Sequence, residues 1–180
     1  CMHRTCVRSC CASSTTLSNR LRITLWLSAT MPTFLPERTK QVIDFAKKHN
    51  FRGVLVEGWN KGWDGDWFGT GFDYSFTQST PDFDLKAVTD YARKQGVHLI
   101  GHHETGGNIA VYEAQLDDAM KLYGQLGVDW VKTGYVADAG GIIAPGDQPG
   151  EVRMEWHDGQ RQVQHHLKVV QTAAKYHVAV

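Results

Sequence analysis

Two histidines and a glutamate occupy consecutive positions in GHHETGG, residues 101–107, directly after the apolar run that ends Val97-His98-Leu99-Ile100. Imidazole and carboxylate groups this close together could ligate a metal, move protons, or merely end a polar strand. Side chains alternate faces along a strand, so His102 and Glu104 point one way and His103 the other. The stretch therefore offers a single histidine–glutamate pair to a common site. Similar runs end in two further charged residues: Glu57 after Gly53-Val54-Leu55-Val56, and Lys132 in VDWVKTGYV, where Trp130, Lys132 and Gly134 share a face. If Glu57, His102, Glu104 and Lys132 converge from three adjacent strands, a carboxylate there can act as general base with a neighbouring cation setting its ionisation. The plainer alternative is a satisfied Glu57–Lys132 ion pair at the rim, with His102 hydrogen-bonded to backbone.

A metal-dependent hydrolase using His102 and Glu104 as ligands is a competing reading, but it needs a third and a fourth protein ligand. His165 and His166 lie in a helical pattern and His157 in a loop, and neither placement supplies them. After Glu57 comes Trp59-Asn60-Lys61-Gly62-Trp63-Asp64-Gly65-Asp66-Trp67-Phe68, with three tryptophans in nine positions. Indole faces stack on the C–H surfaces of a sugar ring while Asp and Asn accept and donate to its hydroxyls, so the loop suits a polar-ligand platform. At least one of the tryptophans is expected to serve instead as a hydrophobic lid. A calcium loop is excluded because the D-x-[DN]-x-[DN]-G order is absent.

The elements that must position these groups alternate regularly from Glu37 onward. Val42, Ile43, Phe45 and Ala46 recur at helical spacing between Pro36 and Asn50. Further helices are predicted from about Leu85 to Gln95, over IAVYEAQLDDAMKLYGQLG ending near Gly127, and over DGQRQVQHHLKVVQTAAKYH. Between them four strands are predicted near residues 53, 97, 129 and 177, and Ala137 to Gly150, rich in Gly, Pro and Asp, is expected to be a loop. Strands alternating with helices imply an α/β fold with a parallel sheet. No G-x-G-x-x-G or G-x-x-x-x-G-K-[ST] follows a strand, which removes the usual nucleotide-binding support for a doubly wound sheet. Polar residues at successive strand ends are instead the habit of the (β/α)8 TIM barrel, of which this chain would be a partial copy of about four βα units.

The 180 residues carry 19 Lys plus Arg against 19 Asp plus Glu, so neither nucleic acid nor an anionic membrane is implied as a partner. The balance is uneven: no acid precedes Glu37, and Arg4, Arg8, Arg20 and Arg22 give that leader a charge of +4. The leader also holds every cysteine, Cys1, Cys6, Cys10 and Cys11, in spacings that lack the paired C-x-x-C of a zinc module. Leu21 to Ala29 faintly resembles a short signal-peptide core, and the run is too short and broken for a membrane span. Residues 1–35 are accordingly expected to lie outside the fold, with 36–180 forming the barrel segment.

In order and spacing, VLVEGWNKGWDGDWF, PDFDL, LIGHHETGG, VKTGYVADAGG and EWHDGQ resemble glycoside hydrolase family 97, from about residue 37 to Val180. The resemblance implies a (β/α)8 catalytic barrel between two β-rich domains, acting on α-glucosides or α-galactosides with calcium in the site. Retaining members place a nucleophilic aspartate where this chain has Gly134, so the likeness is to the inverting α-glucosidases of starch-utilisation type. It implies that Glu104 activates water and that Glu57, His102 and Lys132 contact the sugar; Trp59, from the tryptophan-rich loop, is expected as a further substrate-binding residue. The catalytic acid, a second basic glutamate and the calcium ligands would lie outside the matched region, the second base just after HVAV. The expected partners are an α-linked oligosaccharide, the missing remainder of the barrel and the flanking β domains. The expected location is periplasmic or secreted, and the chain alone is expected to have little or no glycosidase activity. A non-catalytic carbohydrate-binding fragment is the remaining alternative.

Overall fold

The computed structural model describes residues 24–27, 36–63, 71–136 and 140–180. Four strands make one parallel sheet in sequential order: β1 (Thr24–Leu27), β2 (Gly53–Val56), β3 (His98–Glu104) and β4 (Trp130–Gly134). Helices α1 (Pro36–Lys48), α2 (Leu85–Gln95) and α3 (Ile109–Leu126) form the crossovers. Past β4 the chain makes an antiparallel hairpin, β5 (Gly141–Pro145) and β6 (Val152–Trp156), and then α4 (Gln160–Lys175). At the far edge Ala179 forms a parallel bridge to Trp130, so the sequential order continues beyond β4. The sheet order never reverses, in contrast to a doubly wound sheet.

Local chemistry accounts for the helices. Asp84 caps α2 by accepting the Ala87 N–H at 2.9 Å, and Asn108 caps α3 by accepting that of Val111 at 3.1 Å. Gly96 and Gly127 close the same two helices at φ 71° and 73°, a left-handed conformation that side chains resist. Between the caps the apolar stripes are buried: Leu85, Val88 and Ala92 on α2, and Ile109, Tyr112, Leu116, Met120 and Tyr123 on α3. Apart from Ile109, these stripes cluster with Val54, Val56, Leu99 and Val131 of the sheet to form the main core. Each such side chain, fully buried, contributes about 1.5–3 kcal/mol of transfer free energy.

Two expectations are corrected. Thr24–Leu27 was predicted to fall in a leader outside the fold, yet it pairs with β2 in register Thr24 to Gly53 through Leu27 to Val56. A four-residue strand whose neighbours are Arg, Ser and Thr has too little periodicity to be separated from a signal-like run. The cysteines and most of the leader lie outside the described residues. The predicted loop from Ala137 to Gly150 contains β5, whose Ile142 and Ala144 pack with Ile109 in a second small apolar cluster. Flanking Gly, Pro and Asp masked the alternation in GIIAP.

Candidate active site

Parallel pairing in register brings the three predicted strand ends together. His102 lies opposite Lys132, and Glu104 opposite Gly134, across the β3–β4 ladder, while Glu57 directly follows β2. Alternation then places Glu57, His102 and Lys132 on one side. Lys132 Nζ donates to Glu57 Oε1 at 2.7 Å, and His102 Nε2 stands 3.5 Å from the same oxygen. The predicted ion pair is thus present, but it does not capture the histidine, because 3.5 Å is too long for a good N–H···O bond. Neither ring nitrogen of the buried His102 has a hydrogen-bond partner among the described residues. Burial holds its pKa down to about 4, against an opposing pull from Glu57 and with a reinforcing push from Lys132. The ring is neutral at pH 7, with one donor and one acceptor to give to a ligand.

Glu104 is buried and anchored differently. Its Oε1 accepts three backbone N–H groups, from Thr105 at 3.1 Å, Gly106 at 3.0 Å and Val136 at 2.9 Å. Desolvation raises its pKa, and those three hydrogen bonds and Lys132 work against the rise. A carboxylate held by one oxygen, with its basicity increased, meets the requirements of a general base at near-neutral pH. Its other oxygen lies against Gly134, where a Cβ would overlap the carboxylate.

His103 turns to the opposite side, as alternation requires. It is fully buried, its Nδ1 is 2.9 Å from the Tyr112 hydroxyl, and it stacks on Tyr123 with centroids 4.6 Å apart. Trp59 departs from the expected role. Its indole is only 1% exposed, packs against Tyr123 and His103, and donates Nε1–H to the His102 carbonyl at 2.9 Å. A ring so placed braces β3 and presents no face to a sugar, because Trp59 follows the turn at Gly58 back into the core. Trp63, four residues on, stands edge-to-face with the His102 ring at 5.5 Å and alongside Tyr74 at 6.3 Å. Repetition of Trp in the loop marked the region but could not choose the residue. Asp64, Asp66 and Trp67 lie outside the described residues.

Of the two helical histidines, His165 is a packing residue, 1% exposed between Tyr135 and Glu113, whereas His166 is exposed. Among the described residues no three His, Cys, Asp or Glu side chains gather as a metal ion requires. His102 and Glu104 do not form the start of such a set, since the Oε1 of Glu104 is committed to backbone amides. Among the described residues no donor set fits calcium either. On the inner face of the sheet an open cavity of about 330 Å³ is lined by Leu55, Ile100, Trp130 and Lys132.

Residues 23–180 match the family described as Glycoside hydrolase 97. Solved structures of a Glycoside Hydrolase Family 97 enzyme from Pseudoalteromonas sp. strain K8, one in complex with acarbose and one a variant in complex with panose, are 53% identical to this chain at a TM-score of 0.76. Each match covers 80% of this chain and 22% of that one, so the chain spans about a fifth of the length of these relatives. A β-arabinopyranosidase shares the fold alone, at 16% identity and a TM-score of 0.52 over 86% of this chain and 21% of its own. With the family match running over residues 23–180 and a solved member 53% identical, the chain belongs to glycoside hydrolase family 97.

Proposed function

We propose that this chain supplies the first part of a (β/α)8 catalytic barrel in a longer polypeptide, and that the complete protein hydrolyses α-glucosidic bonds of maltose-type oligosaccharides with inversion. The observation that carries the mechanism is the packing of Glu104 against Gly134. The space in which a side chain at position 134 would lie is filled by the Glu104 carboxylate, so an aspartate nucleophile at that position and Glu104 as now seated exclude each other. Inversion needs a base that activates water on one face of the sugar and an acid that protonates the departing oxygen on the other. Glu104 is the base. His102, whose ring nitrogens have no hydrogen-bond partner among the described residues, and the Glu57–Lys132 pair take the sugar hydroxyls. Trp63 flanks His102 and offers the apolar surface on which a pyranose packs. The acid comes from the remainder of the polypeptide, as do the ligands of calcium, and no step here is routed through that ion. Acarbose and panose bound to the Pseudoalteromonas enzyme support an α-linked oligosaccharide as the substrate class. Sequential parallel order and an inner cavity support the barrel. Export to the periplasm or beyond belongs to the same proposal.

The test is proton NMR of the first turnover of maltose by the full-length protein. The β-anomer of glucose is expected to appear first from the non-reducing end. Initial release of the α-anomer would overturn inversion, and no hydrolysis of any α-glucoside would overturn the substrate class. The isolated 180-residue chain is expected to show little or no turnover.

A further inference from the structure

We propose that Tyr135, His165 and Glu113 form a strap of positioning residues that holds the Val136 amide against Glu104, and so orients the base of the reaction proposed above. The inference rests on that reading for its kinetic consequence and on packing alone for its structural one. Of the three N–H groups on Glu104 Oε1, those of Thr105 and Gly106 belong to the turn that carries Glu104 and move with it. The Val136 N–H, at 2.9 Å, arrives from the end of the neighbouring strand, 32 residues along the chain. Its placement depends on what fixes the chain just past β4.

Tyr135 is the residue that fixes it. Its hydroxyl is 2.9 Å from His165 Nε2, and the other ring nitrogen, Nδ1, is 2.9 Å from Glu113 Oε1. The second Glu113 oxygen accepts from Lys168 Nζ at 2.6 Å. An ionised Glu113 can only accept, so Nδ1 donates to it and Nε2 is the nitrogen left to pair with the Tyr135 hydroxyl. Both histidine nitrogens are thereby committed, in a side chain that is 1% exposed. The strap joins α3 through Glu113, α4 through His165 and the end of β4 through Tyr135. From the other side Thr105 clamps the same strand end, its N–H and Oγ1 both donating to the Gly134 carbonyl at 3.0 and 2.8 Å. Between these two clamps Val136 has little freedom to leave Glu104. None of the strap residues faces the sugar side of the sheet, so they act through Glu104 and not on substrate.

Tyr135→Phe in the full-length protein removes the hydroxyl and keeps the ring. Hydrogen exchange at the Val136 amide is expected to quicken about tenfold. On maltose, kcat is expected to fall about tenfold with KM within about twofold. In a Glu104→Gln background the same substitution is expected to cost nothing further, since the group it positions is already disabled. His165→Gln provides the second variant, with the same pattern expected. Unchanged exchange at Val136 would overturn the strap, and so would additive losses in the double variant. If the wild-type protein hydrolyses no α-glucoside, the functional reading fails and the exchange measurement alone decides the structural claim.

Discussion

His102 and His103 are adjacent in the chain, both buried, and both held neutral by desolvation, yet their surroundings differ. His103 lies on the helix side of β3, stacked on Tyr123 and bonded to Tyr112. His102 lies on the inner side beside the Glu57–Lys132 pair, its ring nitrogens without a hydrogen bond among the described residues. Burial and a lowered pKa are common to both rings and therefore do not distinguish them. What distinguishes them is their bonding: His103 has Nδ1 bonded to Tyr112 and only Nε2 without a partner among the described residues, whereas His102 has neither nitrogen bonded there.

The largest effect is expected at the residue that shares the inner side with His102. Glu104→Gln in the full-length protein should lower kcat on maltose by about 10²–10⁴-fold, the usual contribution of a positioned general base. A loss of under threefold in a folded variant would return Glu104 to a structural role. The two histidines should then divide cleanly. His103→Ala opens a cavity among Tyr112, Tyr123 and Phe76 and should cost about 2–4 kcal/mol of stability in a urea titration, with kcat per folded molecule nearly unchanged. His102→Ala should reduce kcat/KM about tenfold or more per folded molecule. The reverse pattern would break the comparison.

A smaller effect is expected from pH. Native His103 takes up no proton until about pH 3, whereas the unfolded chain takes one up near pH 6.5. The unfolded state thus binds more protons across that window, and stability falls as pH is lowered from 6.5. The slope should be about 1.4 kcal/mol per pH unit for this histidine, and His103→Gln should remove that share of it from urea midpoints measured between pH 7 and pH 5. His102 contributes with the same sign down to about pH 4. The smallest effect concerns the tryptophans. Trp59→Phe loses one hydrogen bond to the His102 carbonyl and should cost about 1 kcal/mol of stability with KM unchanged, while Trp63→Ala should raise KM for maltose several-fold by calorimetry or kinetics. A KM effect at Trp59 and none at Trp63 would restore the original choice of platform.

Much of the site was legible because it obeys local rules. Strand alternation alone assigned His102 and Glu104 to one face and His103 to the other, and the caps at Asp84, Gly96 and Gly127 set helix limits. Trp59 was misassigned because composition identifies a loop rich in indoles without saying which indole the turn folds inward. β5 was missed because its apolar alternation spans few residues amid turn formers, and β1 because a four-residue strand leaves hardly any period to detect. The strap was invisible because Glu113, Tyr135 and His165 come from three separate elements.

What the sequence by itself determined is the order of the elements, the faces of the strands and the chemical types at their ends, all properties of spacing within one segment. Only the tertiary structure decided which groups touch. It put Lys132 on Glu57 across 75 residues, left the His102 ring nitrogens without a hydrogen bond among the described residues, and seated the Glu104 carboxylate in the space that a Cβ at position 134 would fill. The physical reason is that a side chain's partners are set by strand register and helix packing, which depend on the summed burial of the whole sheet and not on any one motif.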